Sequence, residues 1–184
     1  MGRRGSDDQN LVAAARRGES WALTEVWQRY SPAVVGYLRG KGAAEPEDLA
    51  SEVFLQVFAK IGTFRGDEAG LRRFVFSVAH GRYVDAVRRQ VRRGVDAEFD
   101  PATHGGTAPS AEASVMNELA RERVESLIEA LAPDQRDVLL LRIVADLSLE
   151  QTADVLGKSI GAVKSLQHRG LAALRPILGE AVSP

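Results

Sequence analysis

In the front half of the chain, apolar residues recur three and four positions apart, the period of an amphipathic helix. Leu11, Ala14 and Ala15 give a first apolar face, with Asp7 or Asp8 placed to cap it and Gly18 to end it. Leu23, Val26, Trp27 and Tyr30 predict a second buried face in a helix that opens near Ser20. Ser31-Pro32 then interrupts the pattern, and Val34, Val35 and Leu38 predict a third helix, stopped by Gly40 and Gly42. Pro46 opens a fourth, in which Leu49, Val53, Val57 and Ile61 form a stripe widened by Phe54 and Phe58. A polar loop at 62–70 leads into LRRFVFSVAHGRYVDAVRRQVRR at 71–93, where Val75, Phe76, Ala79, Tyr83, Val87 and Val91 predict one apolar seam.

Periodicity then stops. The segment GVDAEFDPATHGGTAPSAEAS is rich in Pro, Gly, Ala, Ser and acids, has a single aromatic, and reads as a linker. Helical spacing resumes with Leu119, Val124, Leu127, Ile128 and Leu131. Ala132-Pro133-Asp134 breaks it, Asp134 is placed to cap the next helix, and Val138, Leu139, Ile143 and Val144 are expected inward. Ser148 with Gln151 three residues on is a capping box opening a short helix that buries Leu149, Ala153, Val155 and Leu156. Gly157-Lys158 makes a tight turn, and Ser159 caps a last helix with Val163, Leu166, Leu171 and Leu174 apolar. Short helix, glycine turn, second helix is the order of a helix-turn-helix. The expected class is all-α: two small helical domains joined by a flexible linker, the second containing the helix-turn-helix.

Composition changes this picture little. The chain has 184 residues and no cysteine, which excludes disulfides, thiolate metal sites and a thiol nucleophile. His80, His104 and His168 lie far apart without metal-ligand spacing. No apolar run is long enough for a membrane span and the first ten residues lack the apolar core of a signal peptide, so no membrane insertion and a cytoplasmic location are expected. Charge adds more. The net −1 divides into +5 over 1–94, −6 over 95–132 and zero over 133–184, which argues for parts with different partners.

The basic excess concentrates opposite the seam at 71–93. Arg82, Arg89 and Arg93 form one row, Arg88 and Arg92 another, with Arg72 and Arg73 before them; Asp85 is placed to pair with Arg88 or Arg89. Rows of guanidinium groups repel unless an anion neutralises them, and a nucleic-acid backbone is such an anion. An ordinary solvated arginine face is the alternative. Beside these arginines, the 62–70 loop and Phe64, Phe74 and Phe76 have the ingredients to hold an unstacked base, or are simply core. On the fourth helix Asp48, Glu52 and Gln56 line up at steps of four, as a solvated face or a docking surface; pattern alone favours the first. In the last helix Lys164, Ser165, His168 and Arg169 can face outward, toward a major groove.

Taken together, EDLASEVFLQVF, LRRFVFSVAHGRYVDAVRRQVRR and LAPDQRDVLLLRIVADLSLEQTADVLGKSIGAVKSLQHRGLAALR, in that order with a linker before the third, resemble the bacterial RNA polymerase sigma factors of the sigma-70 family, extracytoplasmic-function (ECF) type. The resemblance implies region 2 at 1–94, a linker at 95–114 and region 4 at 115–184. It implies core RNA polymerase bound through Asp48, Glu52 and Gln56. It implies minus-ten promoter DNA held by Phe64, Arg65, Arg72, Arg73, His80, Arg82, Arg88, Arg89, Arg92 and Arg93, with the 63–70 loop around a flipped base. Minus-thirty-five DNA would be read by Ser159, Lys164, Ser165, Gln167, His168 and Arg169, with Gln167 facing either DNA or the packing. An anti-sigma partner is implied; a cofactor, a metal and catalytic residues are not. Phe74, Gly81, Ser51, Thr152, Lys158 and the pair Leu166-Gln167 depart from the family's usual residues, which bears on promoter sequence rather than class. A helix-turn-helix regulator would explain the back half but not the docking helix or the basic-aromatic stretch. A nuclease-like enzyme would need a carboxylate or histidine cluster, which the sequence does not supply.

Overall fold

The structure, a computed structural model, describes residues 3–96, 127 and 130–180; for 3–9, 93–96 and 178–180 it describes the backbone alone. Most of the expected linker and the helix expected around Leu119 and Val124 lie outside the described residues, within which every regular element is helical. Helices α1 (Arg3–Arg16), α2 (Ser20–Gly40), α3 (Pro46–Ile61) and α4 (Glu68–Asp96) build the first domain. Helix α5 (Pro133–Leu139), a π-helical turn (Leu140–Val144), α6 (Leu149–Leu156) and α7 (Ile160–Glu180) follow.

Two helix boundaries differ from expectation. The first helix already runs through Asp7 and Asp8, so neither is its cap. The backbone stays helical back through Ser6 and Gly5 to Arg3, which puts both acids inside the helix, beyond its first turn. More consequential, the second and third helices are one. Ala22, Val26, Tyr30, Val34, Tyr37 and Leu38 are buried along a single face of α2, while Pro32 lies on the outer face beside exposed Gln28. The carbonyl that Pro32 leaves without its helical partner belongs to Gln28, where water can satisfy it. Trp27, expected inside, is 38% exposed and instead packs one side of its ring against Phe54, centroids 4.6 Å apart.

Pro46 starts α3 with Glu47 and Asp48 in its first turn and Lys60 in its last, each matching the sign of the helix dipole. Asp67 caps α4, accepting the Gly70 N–H at 2.8 Å, and Arg29 holds Glu68 of its first turn at 2.8 Å. Helix α4 has 29 residues, about 43 Å, against about 24 Å for the 16 of α3. It therefore outruns its neighbours: Val75, Phe76 and Ala79 are buried, but Val87 and Val91, expected on the same seam, are exposed.

In the second domain Ala132, not Asp134, is the residue before the first helical turn; the Gln135 side chain accepts the Ala132 N–H, and Asp134 pairs with Lys158 at 2.9 Å. The π-helical turn ends with the Ala145 N–H reaching Leu140 O at 3.1 Å, one residue wider than an α-turn. The extra residue rotates the face. Leu141 becomes fully buried, and Ile143, expected inward, is 65% exposed. Ser148 and Gln151 form the expected capping box, at 3.1 and 2.9 Å, Gly157 adopts a left-handed φ of 62°, and Ser159 accepts the Ala162 N–H. Val138, Ala153, Val163 and Leu166 make a small core of their own, whereas Leu141, Ala145 and Leu147 join the core of the first domain.

Replacing Pro32 with alanine tests the continuous α2. An interior proline costs about 3 kcal/mol relative to alanine, partly offset because proline also restricts the unfolded chain by up to about 1 kcal/mol. Pro32→Ala should raise the urea midpoint by an equivalent of about 1–3 kcal/mol; a lower midpoint would mean that packing requires the proline.

Candidate nucleic-acid interface

Asp48 and Glu52 are exposed on α3 and Gln56 is half-buried, so the expected acidic row does form one face. Glu52 reaches Arg89 of α4 at 3.8 Å, and the two helices flank a groove lined by Asp48, Glu52, Tyr83, Val87, Arg89 and Gln90. Beside the row stands Leu55, 72% exposed and outside the apolar stripe that the spacing predicts. Its signal was present: a leucine on the polar side of an otherwise regular helix.

In the 63–70 loop, Phe64 stacks on Phe74 with centroids 5.5 Å apart and an interplanar angle of 27°. Gly66 and Gly70 let the Phe64 ring lie close: a Cβ on Gly66, at φ 150°, would stand 2.9 Å from Phe64 Cζ. Arg65 is exposed and donates to Phe64 O at 3.1 Å. Arg72 donates to Ala145 O at 3.3 Å and lies over the Tyr30 ring; Arg73 pairs with Asp154 at 2.8 Å. Both arginines thus meet the second domain. Further along α4, Arg88 lies 4.0 Å from Asp85, and Arg88, Arg89 and Arg92 are exposed in one continuous basic tract. Arg93 continues that helix in its backbone; its side chain lies outside the described residues. Arg82 is half-buried with Nε unpaired, although its row was expected to face outward. His80 is also half-buried and shares a 2.9 Å hydrogen bond with Tyr37 Oη, which occupies the ring nitrogen Nδ1. Burial holds this imidazole below its ordinary pKa; Asp137 nearby opposes that shift and Lys41 adds to it. Burial likewise raises the hydroxyls of Tyr37 and Tyr83.

On α7, Lys164, Ser165, His168 and Arg169 are exposed and line one open depression, as the helical spacing requires. Ser159 is exposed just before them, its hydroxyl used as the cap. Gln167 is half-buried and accepts from Arg142 Nε at 3.4 Å, so its side chain belongs to the packing. Arg142 in turn donates to Leu147 O. Among the unusual residues, Thr152 is fully buried with its hydroxyl unpaired, and Ser51 donates to Glu47 O at 3.1 Å. Among the described residues no acidic or histidine cluster could hold a metal, and no helix is long and apolar enough to cross a membrane.

Comparison with known proteins assigns both halves. Residues 26–93 match the family Sigma-70 region 2, and residues 121–174 match Sigma-70, region 4. The chain is 33% identical over 172 residues to the ECF RNA polymerase sigma factor SigD of Mycobacterium tuberculosis, covering 90% of this chain and 81% of SigD. It is 31% identical over 170 residues to the ECF RNA polymerase sigma factor BldN of Streptomyces coelicolor, covering 91% of this chain but spanning only 64% of BldN. In fold it is similar to the sigma factor RpoE from Bartonella quintana, solved in complex with the anti-sigma factor NepR: TM-score 0.62, 20% identity, 85% of this chain and 96% of that one.

The Tyr37–His80 pair makes stability depend on pH with a definite sign. The unfolded imidazole takes up its proton near pH 6.5, the folded one only at lower pH. Its contribution is therefore present above pH 6.5 and lost as pH falls through that value toward the folded pKa. The urea midpoint should drop between pH 7.5 and 5.5 more steeply in wild type than in His80→Gln; equal slopes would assign the loss to other groups.

Proposed function

The chain belongs to the ECF RNA polymerase sigma factors, which direct RNA polymerase to promoters and initiate transcription there, and we propose that it does so through three surfaces on its two domains. Residues 1–94 would serve as region 2, 95–114 as linker and 115–184 as region 4. The observation that carries this reading is positional. The α3 face and the basic-aromatic surface of α4 both fall in the matched span 26–93, and the exposed face of α7 falls in 121–174.

On this reading Asp48, Glu52 and Gln56, with Leu55 beside them, dock on core polymerase, an apolar side chain flanked by charges being a composition suited to an interface. The 63–70 loop, Phe64, Arg65, Arg72 and Arg73 hold single-stranded minus-ten DNA, while Arg88, Arg89, Arg92 and Arg93 neutralise promoter phosphates. Arg82 and His80 act from behind, Arg82 by adding charge and His80 by fixing α4 on α2 through Tyr37. Lys164, Ser165, His168 and Arg169 read the minus-thirty-five element, with Ser159 at the helix entry and Gln167 bracing it.

No covalent chemistry is needed for this work. Opening a promoter is differential binding: contacts made only to the unpaired strand offset unstacking, which costs a few kcal/mol for an extruded base. The protein then needs no cofactor, and it acts in the cytoplasm, where its template lies. The RpoE–NepR complex, similar in fold, supports an anti-sigma partner for this chain as well.

Two substitution sets check the surfaces separately. Asp48→Ala with Glu52→Ala, and Leu55→Ser alone, should weaken affinity for core polymerase in titration while stability changes by less than about 0.5 kcal/mol, as for other solvent-facing changes; unchanged affinity would remove α3 from the interface. Arg169→Ala and Lys164→Ala should each lower initiation across a promoter library. A base-reading contact costs about 1–3 kcal/mol at one position, and a phosphate contact weakens all promoters alike. Wild-type behaviour by both variants would mean that another face of α7 meets DNA.

A further inference from the structure

The outward side of α7 holds one large side chain that has no hydrogen-bonding group. Ile160 opens the helix and is 40% exposed, outside both buried cores. It stands one turn before Lys164, at the edge of the face that Lys164, Ser165, His168 and Arg169 continue. Val163 and Leu166, on the inward side, carry the packing of this part of α7, so the fold does not ask for an isoleucine at 160. A single exposed apolar residue is ordinary on a protein surface. On a face that meets the major groove it has a definite chemistry.

Gly161 is an independent observation. It lies inside α7 in the middle of the outward face, it is exposed, and a Cβ on it would meet nothing within 4 Å. Its φ is not positive, so neither packing nor backbone conformation requires a glycine here. Glycine is nevertheless the weaker helix residue. What the missing methyl group provides is room on the outside, where a bound surface can come close to the helix backbone. The first turn that Ile160 and Gly161 share carries no acid, so no side chain in it repels phosphate. Ser159, just before it, uses its hydroxyl oxygen on the cap, accepting the Ala162 N–H at 3.2 Å. The leading end of the helix therefore presents an apolar side chain next to a gap.

Base edges in the major groove present donors and acceptors, with one apolar exception, the C5-methyl group of thymine. An isoleucine laid against a polar edge strips it of water and returns no hydrogen bond. Against the thymine methyl it strips nothing polar and buries two apolar groups. Four residues of helix rise about 6 Å, so Ile160 and Lys164 reach bases within about two steps of about 3.4 Å. We infer that Ile160 is a specificity residue of minus-thirty-five reading: it selects one thymine by its C5-methyl group, and Gly161 lets the helix come close enough for that contact. The inference rests on the reading of the outward face of α7 as the DNA-reading surface, and it names the base and the group that this surface selects.

The test uses the full chain bound to core polymerase. Its probe is the promoter duplex that this holoenzyme binds most tightly from a library randomised across the minus-thirty-five element. Each thymine of that element, on either strand, is replaced in turn by deoxyuridine, which removes the methyl group and nothing else. Wild type should lose about fourfold in affinity at one thymine, the worth of one buried methyl group. Ile160→Val should keep that loss. Ile160→Ala should bind the unmodified duplex about fourfold more weakly than wild type and be indifferent to uracil at that position. Gly161→Ala should bind about fivefold more weakly while its urea midpoint rises, since alanine is the better helix residue; misfolding would lower both. No loss at any thymine, a uracil loss that persists in Ile160→Ala, or undiminished binding by Gly161→Ala would each overturn the inference. If Lys164→Ala and Arg169→Ala weaken binding to the same duplex, such a failure belongs to Ile160 and Gly161 alone. If those two also bind as wild type does, the reading of α7 has failed and the inference falls with it.

Discussion

One continuous apolar face on α2, unbroken across Pro32, is the surface against which α1, α3, α4 and the second domain all pack. Magnitudes explain why the helix survives its proline. The missing hydrogen bond and the ring clash cost about 3 kcal/mol. Burying a large apolar side chain contributes about 1.5–3 kcal/mol, and Val26, Tyr30, Val34, Tyr37 and Leu38 are all buried on this one helix. Two shorter helices at an angle could not present these side chains in one plane. The aromatic contacts depend on that plane too, with Tyr37 edge-on to Phe76 of α4 at 5.8 Å.

Charge is distributed by a different logic. The front of the chain carries a surplus of +5, but the arginines do not all stand alike. Those near the start of α4 meet acids or carbonyls of the second domain, Arg89 lies near Glu52 of α3, and Arg88 lies near Asp85 one turn back. Exposed pairs of this kind hold by well under 1 kcal/mol each and yield readily to a phosphate. The Lys41–Asp137 pair is different, since little water reaches it.

The helical class and the caps of the last two helices were legible in the chain because they depend on neighbours in sequence; the caps expected at Asp7 or Asp8 and at Asp134, and the break expected at Pro32, were not borne out. The Ser148–Gln151 box and the Ser159 cap stand as read, and the outward set on α7 follows from spacing alone. Features that depend on distant neighbours were not legible. Gly40 was read as a helix stop, and α2 does end there, but it is also the floor of a notch for Leu140, a role that leaves no periodic trace. Ile143 and Leu141 exchange places because one wide turn shifts the register, and a 3.6-residue pattern carries no mark of that. Gln167 was open between DNA and packing until Arg142 came within reach of it. The candidate surfaces were found through chemistry, Leu55 excepted, because a single exposed leucine is ordinary by itself.

The overhang of α4 beyond Tyr83 has a thermodynamic meaning. A stand-alone segment of a dozen residues rich in arginine would be marginally helical, because the first turn must be nucleated against a factor of about 0.001. Here nucleation has already occurred in the buried turns around Phe76 and Ala79, and the exposed turns only propagate from them. The guanidinium groups are therefore displayed at fixed intervals of rise and angle before any nucleic acid arrives. Association need not order this backbone as well as the side chains, which is the entropy that a disordered basic tail would surrender on binding.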